Sequence, residues 1–209
     1  MIRSTTRAQL ARLLALPAHA PVRIHTFQHP AALEKARADG TLRGSPADAQ
    51  YPEAYEWMRG RMADLMPGHS GDLPVWGWLR RIDGREKWRE GAATVRITAM
   101  VPRGRLLISD LDMWHAVLND HPVFLDETEH DLHDDSWTRH PRPGDEDRAA
   151  YEAEMIPTWD RVFDPLAPAD HQWWGDRRRM PLQACIDGVR LDEIVAVRHY
   201  PERRTRGRP

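Results

Sequence analysis

The stretch "LLISDLDMWHAVLND", Leu106 to Asp120, gathers Asp110, Asp112, Trp114 and His115 where an apolar run stops. Asp112 and His115 are three residues apart, which puts both on one face of a helix. An Asp–His pair at the end of a strand can move a proton or orient a reacting group. With one further histidine, such as His25, the pair would also make a minimal mononuclear metal site. The plain structural role belongs to the residue before them: Ser109 or Asp110 caps the helix by accepting from its free amides.

Other chemistries find less support. His130 and His133 stand in "EHDLHDD", a polar run with no apolar shell of the kind that orients metal ligands. No serine lies between glycines in a strand-to-helix elbow. "GTLRGS" has neither the dinucleotide-binding nor the Walker spacing. Cys185 is the single cysteine; mid-strand, it reads as a small buried hydrophobe. Nine tryptophans occur, and Trp57, Trp76, Trp78, Trp114 and Trp159 fall inside predicted elements. They read as core, with one or two available to line a pocket for a flat ring.

The elements that must position these residues follow from periodicity. "VRIHTFQ" alternates as a strand, with Val22, Ile24 and Thr26 on one face and Arg23, His25 and Phe27 on the other. A helix starts near Pro30, turns Leu33 and Ala36 inward and ends at Gly40. "YPEAYEWMRGRMADLM" is a second helix with Tyr55, Met58, Met62 and Leu65 as core. "PVWGWLRR", "ATVRITAMVP", "RLLIS" (as a central strand), "MPLQACID" and "EIVAVRHY" are strands. "DRAAYEAEMIPTWDRVFD" is helical and broken near Pro157. Helices lead the first half and strands the second. The fold class is therefore α+β: one domain with a bent antiparallel or mixed sheet and helices outside it.

Residues 22–200 form that domain, with a polar insertion at 126–147 and a basic tail at 201–209. Residues 1–21 form an N-terminal extension; it has the composition of a transit peptide, but reads better as a short amphipathic helix from Thr5 to Leu16, capped by Ser4 or Thr5. The Ala/Arg/Pro-rich composition points to a GC-rich bacterial source. With 30 basic against 32 acidic residues, charge gives no support to a nucleic-acid partner. No apolar run has membrane-spanning length, and one cysteine suits a reducing cytoplasm. Oligomeric state is not legible.

The landmarks "AYEWM", "PVWGWL", "LLISDLDMWHAVLN", "TWDRVFD" and "PLQACID" occur in this order. From about Arg23 to Tyr200 the chain resembles a bacterial and phage family catalogued only as a domain of unknown function. The N-terminal extension departs from that family. So does "DGREKWREG", which replaces a Pro-Asp-Leu-Arg stretch and in which Arg89 is the candidate substitute. More distantly, the order of a His-Thr strand, helix, Gly-x-Leu, central strands and final strand pair is similar to the ADP-ribosyltransferase superfamily.

That second resemblance implies an NAD- or nucleotide-dependent transferase acting on a nucleic acid or small molecule. It would hold NAD with His25 and Thr26, and stack the nicotinamide on Tyr55 or Trp78. Gln183 would stand where the superfamily places a glutamate that steadies the ribosyl cation. An amide does this less well than a carboxylate, so Asp110 or Asp112 would have to supply the charge, with His115 beside them. Two competing readings are a non-catalytic ligand- or partner-binding domain with a degenerate site, and a mononuclear metal enzyme using Asp112 and His115. The expected ligand site is one cleft bordered by His25, Thr26, Asp110, His115 and Gln183.

Overall fold

A computed structural model describes residues 5–80, 93–132, 141–142, 144–169, 174, 179–180 and 182–201. Its centre is a six-stranded, wholly antiparallel sheet. The strands are β2 (Pro21–Gln28), β4 (Val75–Trp78), β5 (Thr94–Pro102), β6 (Leu106–Asp110), β8 (Leu182–Ile186) and β10 (Ile194–Tyr200), in the order β10-β5-β2-β4-β8-β6. Short ladders pair β1 (Thr5–Thr6) with β7 (Arg179–Met180), and β3 (Thr41–Leu42) with β9 (Val189–Arg190).

The α+β class with helices outside an antiparallel sheet is thus present, and each apolar core lies against one face. Val22, Ile24, Ile97, Ala99, Ile108, Ala184 and Ile186 form the first face. On it pack α1 (Arg7–Leu14), through Leu10, and α2 (Pro30–Asp39), through Leu33 and Ala36. On the second face α3 (Pro52–Leu65), α4 (Leu111–Leu118), α6 (Arg148–Met155) and a 3-10 helix (Ile156–Phe163) pack around Cys185. A short helix α5, Glu127–Leu132, opens the polar insertion.

Three expectations need correction. The cap of α1 is Thr6, in a capping box with Gln9, rather than Ser4 or Thr5. The buried stripe of α3 is Ala54, Met58 and Met62; Leu65, the last helical residue, is 45% exposed. "RLLIS" is an edge strand, not a central one. Its apolar run arises because both of its faces are covered: Leu106 and Ile108 join one core and Leu107 the other. The insertion starts as a helix, and residues 133–140 and 143 of it lie outside the described residues, as do 1–4, 202–209 and the "DGREKWREG" stretch with Arg89.

Candidate functional site

Antiparallel pairing fixes which side chains share a face, because directly opposed residues point the same way. His25 pairs with Thr98 on one side and with Trp78 on the other. Trp78 pairs with Gln183, and Gln183 with Ser109. One row of polar and aromatic side chains therefore crosses five strands on the second face. His25 Nδ1 lies 2.9 Å from Thr98 Oγ1, which anchors the ring. His25, Trp78, Gln183 and Ser109 are all buried.

The sheet is weakest at this row. The pair His25–Trp78 is the whole register between β2 and β4. Beyond it Phe27 and Gln28 on one strand, and Val75 and Trp76 on the other, border a cleft of about 920 Å³. That is the size of a small-molecule site. Tyr55, Trp76, Trp78, Trp114 and Gln183 line its buried part, and the exposed His115 borders it as well. The three aromatics outside the row form a wall: Trp76 and Trp114 lie 4.9 Å apart between ring centroids, and Tyr55 meets both edge-on. Their placement follows from α3 and α4, whose buried stripes bring Tyr55 and Trp114 onto β4.

The rim is built for closeness and neutrality. A Cβ on Gly44 would fall 2.3 Å from the Leu73 carbonyl oxygen, so only glycine lets the rim backbone approach there. The rim cations each have an acid: Lys35 pairs with Asp39, and Arg43 with Asp72. Burial pushes the Asp72 carboxyl up, but hydrogen bonds from Ser70 and Arg43 outweigh it and hold the pKa below the usual value. Ser70 also fixes this rim to Asp187 through its amide and hydroxyl.

Two donors in the cleft lack partners among the described residues: Gln183 Nε2 and Trp76 Nε1, both buried atoms. Gln183 is only 4% exposed. Trp76 pairs with Cys185 while Trp78 pairs with Gln183, so Trp76 and Gln183 are diagonal neighbours on one face. Each unmet buried donor costs about 1–3 kcal/mol.

Not every residue singled out in the sequence comes to this cleft: His25 lies in the row beside it but does not line it. Thr26 points to the opposite face: it pairs with Ile97 in the first core and accepts from Gln28 at 2.7 Å. Asp110 is fully buried as the N-cap of α4, where one carboxylate oxygen accepts from Asp112 N (2.9 Å) and Met113 N (3.1 Å). Asp112 does not line the cleft. It borders a second hollow of about 270 Å³ with Asn119, Phe124 and Trp174, and His115 touches both hollows. Among the described residues no three His, Cys, Asp or Glu side chains are grouped to hold a metal. Cys185 is wholly buried, and burial pushes its thiol well above the ordinary range.

Trp76 is named in the sequence only among the tryptophans that form core or line a pocket, and the rim residues Gly44 and Asp72 are not singled out there. The signal for Trp76 was present, since it alternates with Trp78 on one strand face. The rim carries no signal, because it is assembled from segments far apart in the chain.

No helix among the described residues is long and apolar enough to cross a membrane. Comparison with curated proteins finds no match, and comparison with solved structures finds none either, so the likeness to ADP-ribosyltransferases rests on the order of elements in the sequence. Comparison with protein families matches residues 23–195 to a domain of unknown function, DUF3841, and the chain belongs to that family.

Proposed function

We propose that this domain binds a nucleotide-type ligand whose planar ring enters the cleft beside Gln183, with NAD as the first candidate. The observation that carries the reading is the pair of unpartnered donors, Gln183 Nε2 and Trp76 Nε1, at the aromatic wall. Tryptophan can only donate, so the ring must bring acceptors: a carboxamide oxygen, or the carbonyl and ring nitrogens of a base. The clustered aromatic rings of Tyr55, Trp76 and Trp114 suit a flat π-system. The paired rim charges suit a neutral ring, such as the adenine of NAD or free nicotinamide.

Binding is better supported than group transfer. A cation developing on a sugar calls for a carboxylate held close by. Asp110 is engaged by the helix it caps, and Asp112 faces another hollow. The acids on the cleft, Asp39 and Asp72, are ion-paired at its rim. A transferase acting on NAD would need Gln183 itself to hold the ribose, as an amide acceptor and donor. The metal reading gains no third ligand among the described residues.

Tryptophan fluorescence tests the proposal. Titrating nicotinamide, adenosine and NAD should change the emission saturably, because Trp76 and Trp114 would contact the ring. Emission unaltered by all three would refute it.

A further inference from the structure

We infer that Arg96 and Arg198 form a phosphate subsite beside the cleft, a conclusion that builds on the nucleotide reading above. Arg96 stands directly opposite Arg198 across β5 and β10, and opposite Phe27 across β5 and β2. All three side chains therefore lie on the second face, the face of His25 and Gln183. Directly opposed residues have Cβ atoms about 5 Å apart, and like charges there repel. Neither arginine has a carboxylate partner among the described residues, and Arg96 Nε is a buried atom with no hydrogen-bond partner among them. An anion between two opposed guanidinium groups that have no carboxylate among the described residues would relieve their repulsion.

The surroundings suit a ligand that starts in the cleft. Phe27 lines the cleft and stands one strand from Arg96, about 5 Å away. Tyr200 lies beyond it, with ring centroids 6.4 Å apart, and Arg198 sits over the Tyr200 ring at 5.2 Å. The apolar cluster on the second face draws no residue from β2, β5 or β10; Arg23, His25, Arg96, Thr98 and Arg198 make this end of the face largely polar. Guanidinium groups bind phosphate by paired N–H donors in a planar fork. A ring in the cleft would thus direct its phosphate or diphosphate along Phe27 to Arg96 and Arg198.

The test is calorimetric titration of the full chain with inorganic pyrophosphate at low salt, with adenosine titrated in parallel as a probe of the ring site alone. Wild type should bind pyrophosphate saturably. Arg96→Gln and Arg198→Gln should each weaken it about tenfold, the loss expected for a charged hydrogen bond. Arg37→Gln, which removes an exposed arginine paired with Glu34 on α2, should leave it unchanged. The melting midpoint of Arg96→Gln should match or exceed that of wild type, because the repulsion is relieved; Arg198 is exposed and its replacement is safe for the fold. The subsite is overturned if wild type gives no saturable binding, or if both variants bind as Arg37→Gln does. Adenosine binding without pyrophosphate binding would remove the subsite and leave the ring site standing. Pyrophosphate binding without adenosine would remove the ring site instead.

Discussion

Asp110 illustrates how one residue can carry either chemistry or architecture. Its carboxylate is fully buried and accepts from two helix amides. Asp110→Ala should therefore cost about 1–2 kcal/mol and lower the melting midpoint by a few degrees. Asp110→Asn, which can still accept, should lose less. An unchanged midpoint in Asp110→Ala would show that the cap contributes nothing. Cys185 and Tyr151 give a prediction about pH. Burial raises both: the thiol from 9.0, and the phenol from 10.0 to about 12. The folded state therefore holds protons that the unfolded state releases, so stability is complete below about pH 9 and falls as pH rises. The urea midpoint should drop between about pH 9 and about pH 11, and Cys185→Ala should flatten the first part of that drop. A midpoint that holds steady or rises over this range would contradict the assignment. The cap was legible in the sequence because it is local. The inertness of Asp110 toward the cleft was not, because it depends on which face of β6 turns to which core.

Among the elements, α1 tests how far the domain extends beyond its family match. The match begins at residue 23, yet Leu10 is completely buried in the core of the first face. Arg103 holds the helix from the other side by donating to the carbonyls of Leu13 and Leu106. Leu10→Ala should destabilise the domain by about 2–5 kcal/mol, read from urea unfolding. A dispensable leader would show no change. The helical pattern of this segment could be seen in the sequence, but the depth of Leu10 could not, since a single leucine at a helical position looks the same on a surface helix. The strands were legible from alternation, including the division of β2 into an Ile24 face and a His25 face. The edge position of β6 was hidden because both of its faces are buried, which gives it the continuous apolar run of a central strand.

At the scale of the whole molecule, the sheet consists of two three-stranded halves that meet at His25–Trp78. Local pattern could place His25 and Gln183 on the strand faces opposite Ile24 and Leu182. It could not say that β4 would separate those strands and set Trp78 between the two side chains, nor that the halves would part just beyond to form the cleft. The central claim is that Gln183, at this seam, offers its amide to a ring. Calorimetric titration of wild type and Gln183→Leu with NAD tests it most directly. Leucine keeps the volume and removes the donor, so the fold should persist. The account predicts saturable binding by wild type and a loss of about tenfold or more in Gln183→Leu, the worth of a buried hydrogen bond. Equal binding by the two proteins, or none by wild type, would contradict it.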